Sequence, residues 1–344
     1  MKCIFFYFLC LSGLLVCSCN LPGSKSANGF DETLQQPPFK SISDSIEKSP
    51  SDAGLLLRRA ELLTQNNQHD IAYYDYKKSW QLKPSESSAL LFVSNLFLTG
   101  RNNDAIELLK KCIQEYPSNT EFMRRLGEAY TQGGNTKDAL LLYDELLKKD
   151  TANFEALYEK GMLYAQIKDT ANAISILEKA YNKQPILQNG LALANLYAET
   201  KNDKVIALCD ALQRRDTARE FVDPVFIKGL YYSNVKDYPK AILLFDEAIN
   251  RDWRFIEPYI EKGIILFEQK NYDEALKTFQ FATNISYTNA DNYYWMGRCY
   301  EAINKNEEAI DYYYKALTFD KDFKEAKEAL KRLKGDKTRG QSIK

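Results

Sequence analysis

From about residue 53 onward the apolar residues fall in runs of 12 to 14 positions, separated by short polar links such as NKNEE and QKNYDE. Spacing of three and four within a run predicts amphipathic helices, and the Asn, Lys and Asp of the links predict tight turns. The stretch Tyr293 to Leu317, with rings bunched on either side of a polar run, invites the reading of an aromatic cofactor box. The pattern along the chain removes that reading. Gly297, Tyr300, Ala309, Tyr313 and Ala316 recur 34 residues earlier as Gly263, Leu266, Ala275, Phe279 and Ala282, and again as Gly229, Tyr232, Ala241, Phe245 and Ala248. Looser copies run back through Gly161, Gly127, Val93 and Ala60. The alanine-site positions 72, 105, 139, 173, 205, 241, 275 and 309 are separated by 33, 34, 34, 32, 36, 34 and 34 residues. Copy five is therefore the irregular one, and a bend is expected near 201–222. The small residue on each first helix lets it approach the second closely. No single hairpin of this kind can bury both faces, so the stack is the folding unit.

A 34-residue rule with these residues resembles the tetratricopeptide repeat, over residues 53–323 in eight copies. Pro84, Pro117 and Pro185 sit where that family often ends the second helix. The resemblance implies an all-α fold, a right-handed superhelical solenoid of about eight helix hairpins with terminal capping helices. Residues 39–52 supply the N-terminal capping helix, and residues 324–344 the C-terminal capping helix and a basic tail. The resemblance also implies a concave groove lined by the first helices. Its inward positions are Arg124 and Tyr158 in the middle copies and Phe226, Leu230, Ile260, Ile264, Phe267 and Tyr294 in the last three, rimmed by Asp223, Glu257 and Asp291. The last three copies are expected to form the principal peptide site, opened by the bend, with anchors that do not lock hairpin to hairpin.

Residues 1–20 read differently. Lys2 precedes an apolar run from Ile4 to Val16, too short to cross the roughly 30 Å core of a bilayer as a helix. It reads as a secretory signal. Val16-Cys17-Ser18-Cys19 resembles the lipobox of bacterial lipoproteins, which implies a signal peptide over 1–18 and lipidation of Cys19. Residues 19–38, rich in Pro, Gly, Ser and Asn, are expected to be a flexible tether. The address implied is the cell envelope, lipid-anchored at the outer membrane and facing the periplasm.

Charge and composition then narrow the chemistry. Lys and Arg number 46 against 47 Asp and Glu, for a net charge of −1. A chain that tracks a phosphate backbone carries a basic excess, so nucleic acid is not an expected partner. The single histidine, His69, lies in a polar link, so no His-based metal site or Ser-His-Asp set can be assembled. No Gly-rich phosphate loop is present. Past the signal only Cys112, Cys209 and Cys299 remain, in copies far apart, which disfavours a disulfide. No cofactor or metal is expected. Asp150-Thr151-Ala152, Asp169-Thr170-Ala171, Asp216-Thr217-Ala218 and Asp44-Ser45-Ile46 resemble an O-glycosylation sequon of exported bacterial proteins; turn and cap chemistry explains the same residues. The reading is a non-catalytic envelope scaffold that binds protein segments in its groove. The alternative is an enzyme or carbohydrate-binding helical solenoid with an acid-lined cleft.

Overall fold

The computed structural model describes residues 27–216 and 220–341. Among the described residues are nineteen helices and no strand. The chain divides into two compact units, Met1–Asn135 and Thr136–Lys344. The signal segment, Cys19 and Thr217 lie outside the described residues.

The first unit contains α1 (Ala27–Leu34), α2 (Lys40–Lys48), the hairpins α3 (Ala53–Gln65) with α4 (His69–Leu82) and α5 (Glu86–Leu98) with α6 (Asn102–Glu115), and α7 (Thr120–Gln132). Helix α1 corrects the expectation of a tether running to residue 38. Phe30 and Leu34 are one helical turn apart, and the Phe30 ring lies 5.7 Å from that of Tyr74 in α4. One aromatic contact gives this short polar helix a seat.

The second unit runs through α8 (Thr136–Lys149), α9 (Phe154–Gln166), α10 (Thr170–Lys183), α11 (Leu187–Glu199), α12 (Lys204–Arg215), α13 (Asp223–Asn234), α14 (Tyr238–Arg251), α15 (Glu257–Glu268), α16 (Tyr272–Ile285), α17 (Ala290–Ala302), α18 (Asn306–Phe319) and α19 (Lys324–Gln341). Ala326, Ala329, Leu330 and Leu333 of α19 are buried against Ala309, Tyr313 and Ala316 of α18.

Each first helix ends in the same way. Asn67, Gly100, Gly134, Lys168, Lys201, Lys236, Lys270 and Asn304 have φ between 57° and 75°. The next residue donates its N–H back to the carbonyl five positions earlier, from Gln68 to Leu63 through Lys305 to Tyr300, at 2.8 or 2.9 Å in all eight copies. This closes a Schellman cap, which pairs carbonyls that the helix end would otherwise leave open. Only two of the eight are glycine. The other six accept the left-handed backbone because the paired carbonyls offset its cost. At the opposite end, Asp52, Asn119, Asn153 and Asn289 cap α3, α7, α9 and α17 through their side chains.

Within a hairpin the two helices meet at the glycine. A Cβ on Gly161 would lie 2.7 Å from Leu177, on Gly229 2.5 Å from Phe245, on Gly263 2.5 Å from Phe279, and on Gly297 2.7 Å from Tyr313. All four partners are essentially inaccessible to solvent. Between hairpins, cations on first helices pair with acids on the preceding second helix: Lys160 with Asp144, Lys228 with Asp210 at 2.8 Å, and Lys262 with Asp246 at 2.5 Å. These pairs are half in solvent and fix register more than they add stability.

Copy five departs from the rule. Helices α11 and α13 pack directly on one another, whereas α13 on α15 and α15 on α17 meet only lightly. Ile227 is buried with Leu193, Ala194 and Tyr197, and Asn234 Nδ2 donates to the Ala198 carbonyl at 3.0 Å. The irregular spacing thus draws two inner helices together. It was expected to open the groove, and at α11 and α13 it closes it.

Gly263→Leu should lower the unfolding free energy by at least about 1–3 kcal/mol, the usual cost of overpacking. The Phe279 ring it meets is fully buried and has nowhere to move. Urea titration of the variant reads this directly; a loss below about 0.5 kcal/mol would contradict the packing just described.

Candidate functional site

The inner face of the last three copies is built by α13, α15 and α17, all in the second unit. Asp223, Glu257 and Asp291 stand in the first turns of these helices. One and two turns further along come Phe226 and Leu230 on α13, Ile260 and Ile264 on α15, and Tyr294 on α17, with Phe267 near the end of α15. The three helices therefore present the same order from their N-terminal ends: acid, then bulky apolar or aromatic side chain.

Every one of these apolar residues is half-buried, and each also packs inside the array. The Phe226 ring lies 5.7 Å from Phe245 and 5.1 Å from Phe255. Leu230 packs into the α11–α13 junction. Ile260, Ile264 and Phe267 cover Phe279 and Met296. Tyr294 lies 5.0 Å from Phe323 and 5.8 Å from Tyr313. The expectation that these anchors stand apart from the packing of the hairpins is corrected: they serve both. A half-buried ring presents an edge or one face outward while its other side fills the space between copies.

The other two expected groove residues are not part of this set. Tyr158 packs at the edge of the core that α9 to α13 share. Arg124 belongs to the first unit, where its guanidinium is held by Glu121 at 2.6 and 2.7 Å. Glu121 is ionised more readily than usual despite its burial, because Arg124 and Arg125 both donate to it.

The three rim acids behave in the opposite way. Burial raises the carboxyl of Asp223 above the ordinary aspartate range. Burial raises Glu257 as well, and the charge of Asp223 adds to it. Asp291 is raised by burial and then by Asp320 and Glu325. None of the three forms an ion pair among the described residues. Glu325, in the first turn of α19, stands a further 34 residues on from Asp291. The row of acids at the second repeat position thus continues into the closing helix.

One residue on this face escaped the sequence reading. Arg298 lies two turns beyond Asp291 on α17, at the ninth repeat position. Its guanidinium sits 5.3 Å from the Phe267 ring centroid, 5.7 Å from Trp295 and 5.9 Å from Tyr294, and Nη1 donates to the Tyr294 hydroxyl at 3.1 Å. An arginine one turn after a tyrosine, at a position where its neighbours hold Leu230 and Ile264, was the available signal.

Elsewhere the chemistry is quiet. Cys112, Cys209 and Cys299 are buried; burial pushes their thiols up to about 11, about 12 and about 12. In the first unit an open cleft of about 560 Å³ is lined by Glu86, Glu115, Tyr116 and Asn119. Both acids are engaged, Glu86 by Asn119 at 2.5 Å and Glu115 by Lys111 at 3.6 Å. The cleft does not present an unengaged acid–base pair of the kind that hydrolysis uses. Among the described residues no group of potential ligands gathers to hold a metal ion. Thr151 is exposed in a turn whose Asp150 accepts from the Ala152 N–H. Thr170 opens α10 behind the cap Asp169, and Ser45 donates to the Ser41 carbonyl. The aspartates of these sequons are used by turns and caps.

Comparison with known proteins agrees with this architecture. Residues 96–167 and 154–185 match two models described as tetratricopeptide repeat. Residues 263–336 match a model described as regulator of microtubule dynamics protein 1-3. The chain carries tetratricopeptide repeats. Among solved structures, a tetratricopeptide repeat protein from Parabacteroides merdae superposes with a TM-score of 0.61 at 19% identity, covering 72% of this chain and 98% of that one. PilW, a type IV pilus biogenesis factor, superposes with a TM-score of 0.52 at 14% identity, covering 61% of this chain and 98% of its own. At these identities the likeness is one of fold. No curated protein matches the chain.

Replacing the three rim acids together (Asp223→Asn, Glu257→Gln, Asp291→Asn) should raise stability at neutral pH. Their carboxyls are raised in the folded state, so their contribution is most favourable below the ordinary carboxylate range and is lost as pH rises through the raised values. The wild type should therefore lose stability relative to the triple variant between about pH 4 and pH 7. Thermal melts of both proteins across that range test the sign; a difference that stays constant with pH would contradict it.

Proposed function

We propose that the chain is a non-catalytic scaffold of the cell envelope that binds basic protein segments on the inner face of α13, α15 and α17. It is held at the outer membrane, facing the periplasm, by lipid on Cys19. The observation that carries the binding reading is the row of Asp223, Glu257 and Asp291. Three half-buried carboxylates beside a row of apolar side chains, with no cation of their own, hold a charge that the protein itself leaves uncompensated. A partner carrying Lys or Arg supplies the missing charge, and its apolar side chains cover Ile260, Ile264 and Phe267. Burying a carboxylate without a counter-ion costs free energy that pairing recovers. The arrangement favours partners by charge sign first and by shape second.

The membrane part rests on the N-terminal sequence. Among the described residues no helix is long and apolar enough to cross a membrane. An acyl chain contributes about 0.8 kcal/mol per buried methylene, enough for firm attachment when several are joined to one cysteine.

Two experiments test the proposal. A synthetic array of short random peptides, probed with the full chain, should yield binders in which Lys or Arg flanks apolar residues. The triple rim variant should bind them at least about tenfold more weakly, about 1.4 kcal/mol. An array without such binders, or binders indifferent to the triple variant, would remove the site. For the anchor, Cys19→Ser should move the exported protein from the membrane fraction to the soluble fraction. Retention of Cys19→Ser on the membrane, with release of Cys17→Ser instead, would place the lipid elsewhere.

A further inference from the structure

Arg298 poses a question that the packing of the array does not answer. Its charge is half-buried on the inner face of α17, yet it forms no ion pair with a carboxylate among the described residues. The nearest acid, Glu301, is already taken. It accepts from Arg332 of α19 at 2.6 and 2.8 Å and from the Tyr313 hydroxyl at 2.6 Å. Arg298 instead rests among the rings of Phe267, Trp295 and Tyr294, and spends one N–H on the Tyr294 hydroxyl. Rings hold the guanidinium in place by its faces. They do not use its remaining donors, which lie in its plane and match a planar two-oxygen acceptor.

We infer that Arg298, positioned by Phe267, Trp295 and Tyr294, is a carboxylate-binding subsite, and that it makes the groove on α17 recognise segments carrying opposite charges on either side of an apolar centre. The inference rests on the groove reading above and deepens it. Asp291 and Arg298 are seven residues apart on one helix, hence about 10 Å along its axis. Tyr294 stands between them. A segment laid across α17 therefore meets a negative end, an aromatic middle and a positive end in that order. A carboxylate fits the positive end better than a phosphate dianion does. Glu301 contributes one negative charge beside Arg298, so the local balance of Arg298, Arg332 and Glu301 is a single positive charge, which one carboxylate neutralises. The carboxylate comes either from an Asp or Glu side chain or from the end of a partner chain; both offer the same two oxygens.

The peptide array, made with both free and amidated C-termini, tests this with the full chain, Arg298→Gln, Arg298→Lys and the triple rim variant. Binders should carry a carboxylate separated by an apolar residue from their Lys or Arg. Arg298→Gln should bind them about tenfold more weakly, and Arg298→Lys should recover part of the loss. Amidation abolishing the effect identifies a chain terminus; Glu→Gln or Asp→Asn within the peptide abolishing it identifies a side chain. Either result supports the subsite. If Arg298→Gln fails to fold, the same peptide substitutions, measured on the unaltered protein, carry the test. Binders that depend on the rim acids but are indifferent both to their own carboxylates and to Arg298→Gln would overturn the inference and leave the groove standing. Binders indifferent to the rim acids as well would overturn both.

Discussion

The array depends on one close approach, repeated. In each regular copy of the second unit a glycine on the first helix receives the side chain of a fully buried residue on the second, sixteen positions later. The distance leaves no room for a methyl group. Because the two helices meet backbone to ring, the second helix is set at one depth and one rotation relative to the first. That choice decides which side chains face the neighbouring hairpin and which face inward. The alanines at the other repeat positions follow from it, since they lie where the next helix comes closest and all are fully buried. Large rings then fill what the glycine leaves open, so the small residue and the large one form a single packing unit.

The turns work in the same direction by a different route. Eight helix ends share one Schellman geometry although six of the eight left-handed residues are Asn or Lys. A hairpin whose two helices must meet at a fixed point requires a connection of fixed length and twist. The paired carbonyls make that connection self-contained, so it survives without glycine at most positions. Copy five shows what happens when the spacing slips. The same cap persists at Lys201, but α12 is shortened and the inner helices α11 and α13 come into direct contact. A two-residue change in spacing between alanine sites is absorbed as a change in which helices touch.

Much of this was legible in the chain and some was not, for physical reasons. The period was legible because Gly, Ala and an aromatic residue at fixed spacing have few alternative uses. The phase was legible too: Gly263 and Phe279 meet as the pattern required. The closing of the groove at copy five was not legible, because spacing reports that a repeat is irregular but not the direction in which it bends. Helix α1 was missed because a single apolar pair, Phe30 and Leu34, gives a weak period within a polar stretch. The inner residues were found by position but misjudged in role. Repeat position says which way a side chain points; it does not say how much of a large ring the neighbouring copy will cover. Arg298 was passed over because a lone arginine on a helix reads as surface charge until its aromatic neighbours, drawn from α15 and α17, are seen together.

The double role of the inner rings bears on what kind of recognition the face performs. Phe226, Ile264, Phe267 and Tyr294 cannot move far without opening the cores behind them, so the apolar surface they offer is rigid. A rigid, shallow, partly covered apolar surface gives a partner modest affinity with little ordering cost on the protein side. Charge then decides among partners. The acids at the helix starts and the arginine two turns along α17 are held by the same packing that fixes the rings, so their separation is set before anything binds. Discrimination on such a face comes from the spacing of a partner's charges, because a segment with the wrong spacing must leave one of these half-buried ions unpaired. The glycine that positions α17 against α18 therefore also positions Asp291 and Arg298, and the constraint that builds the repeat is the one that sets the ruler across the groove.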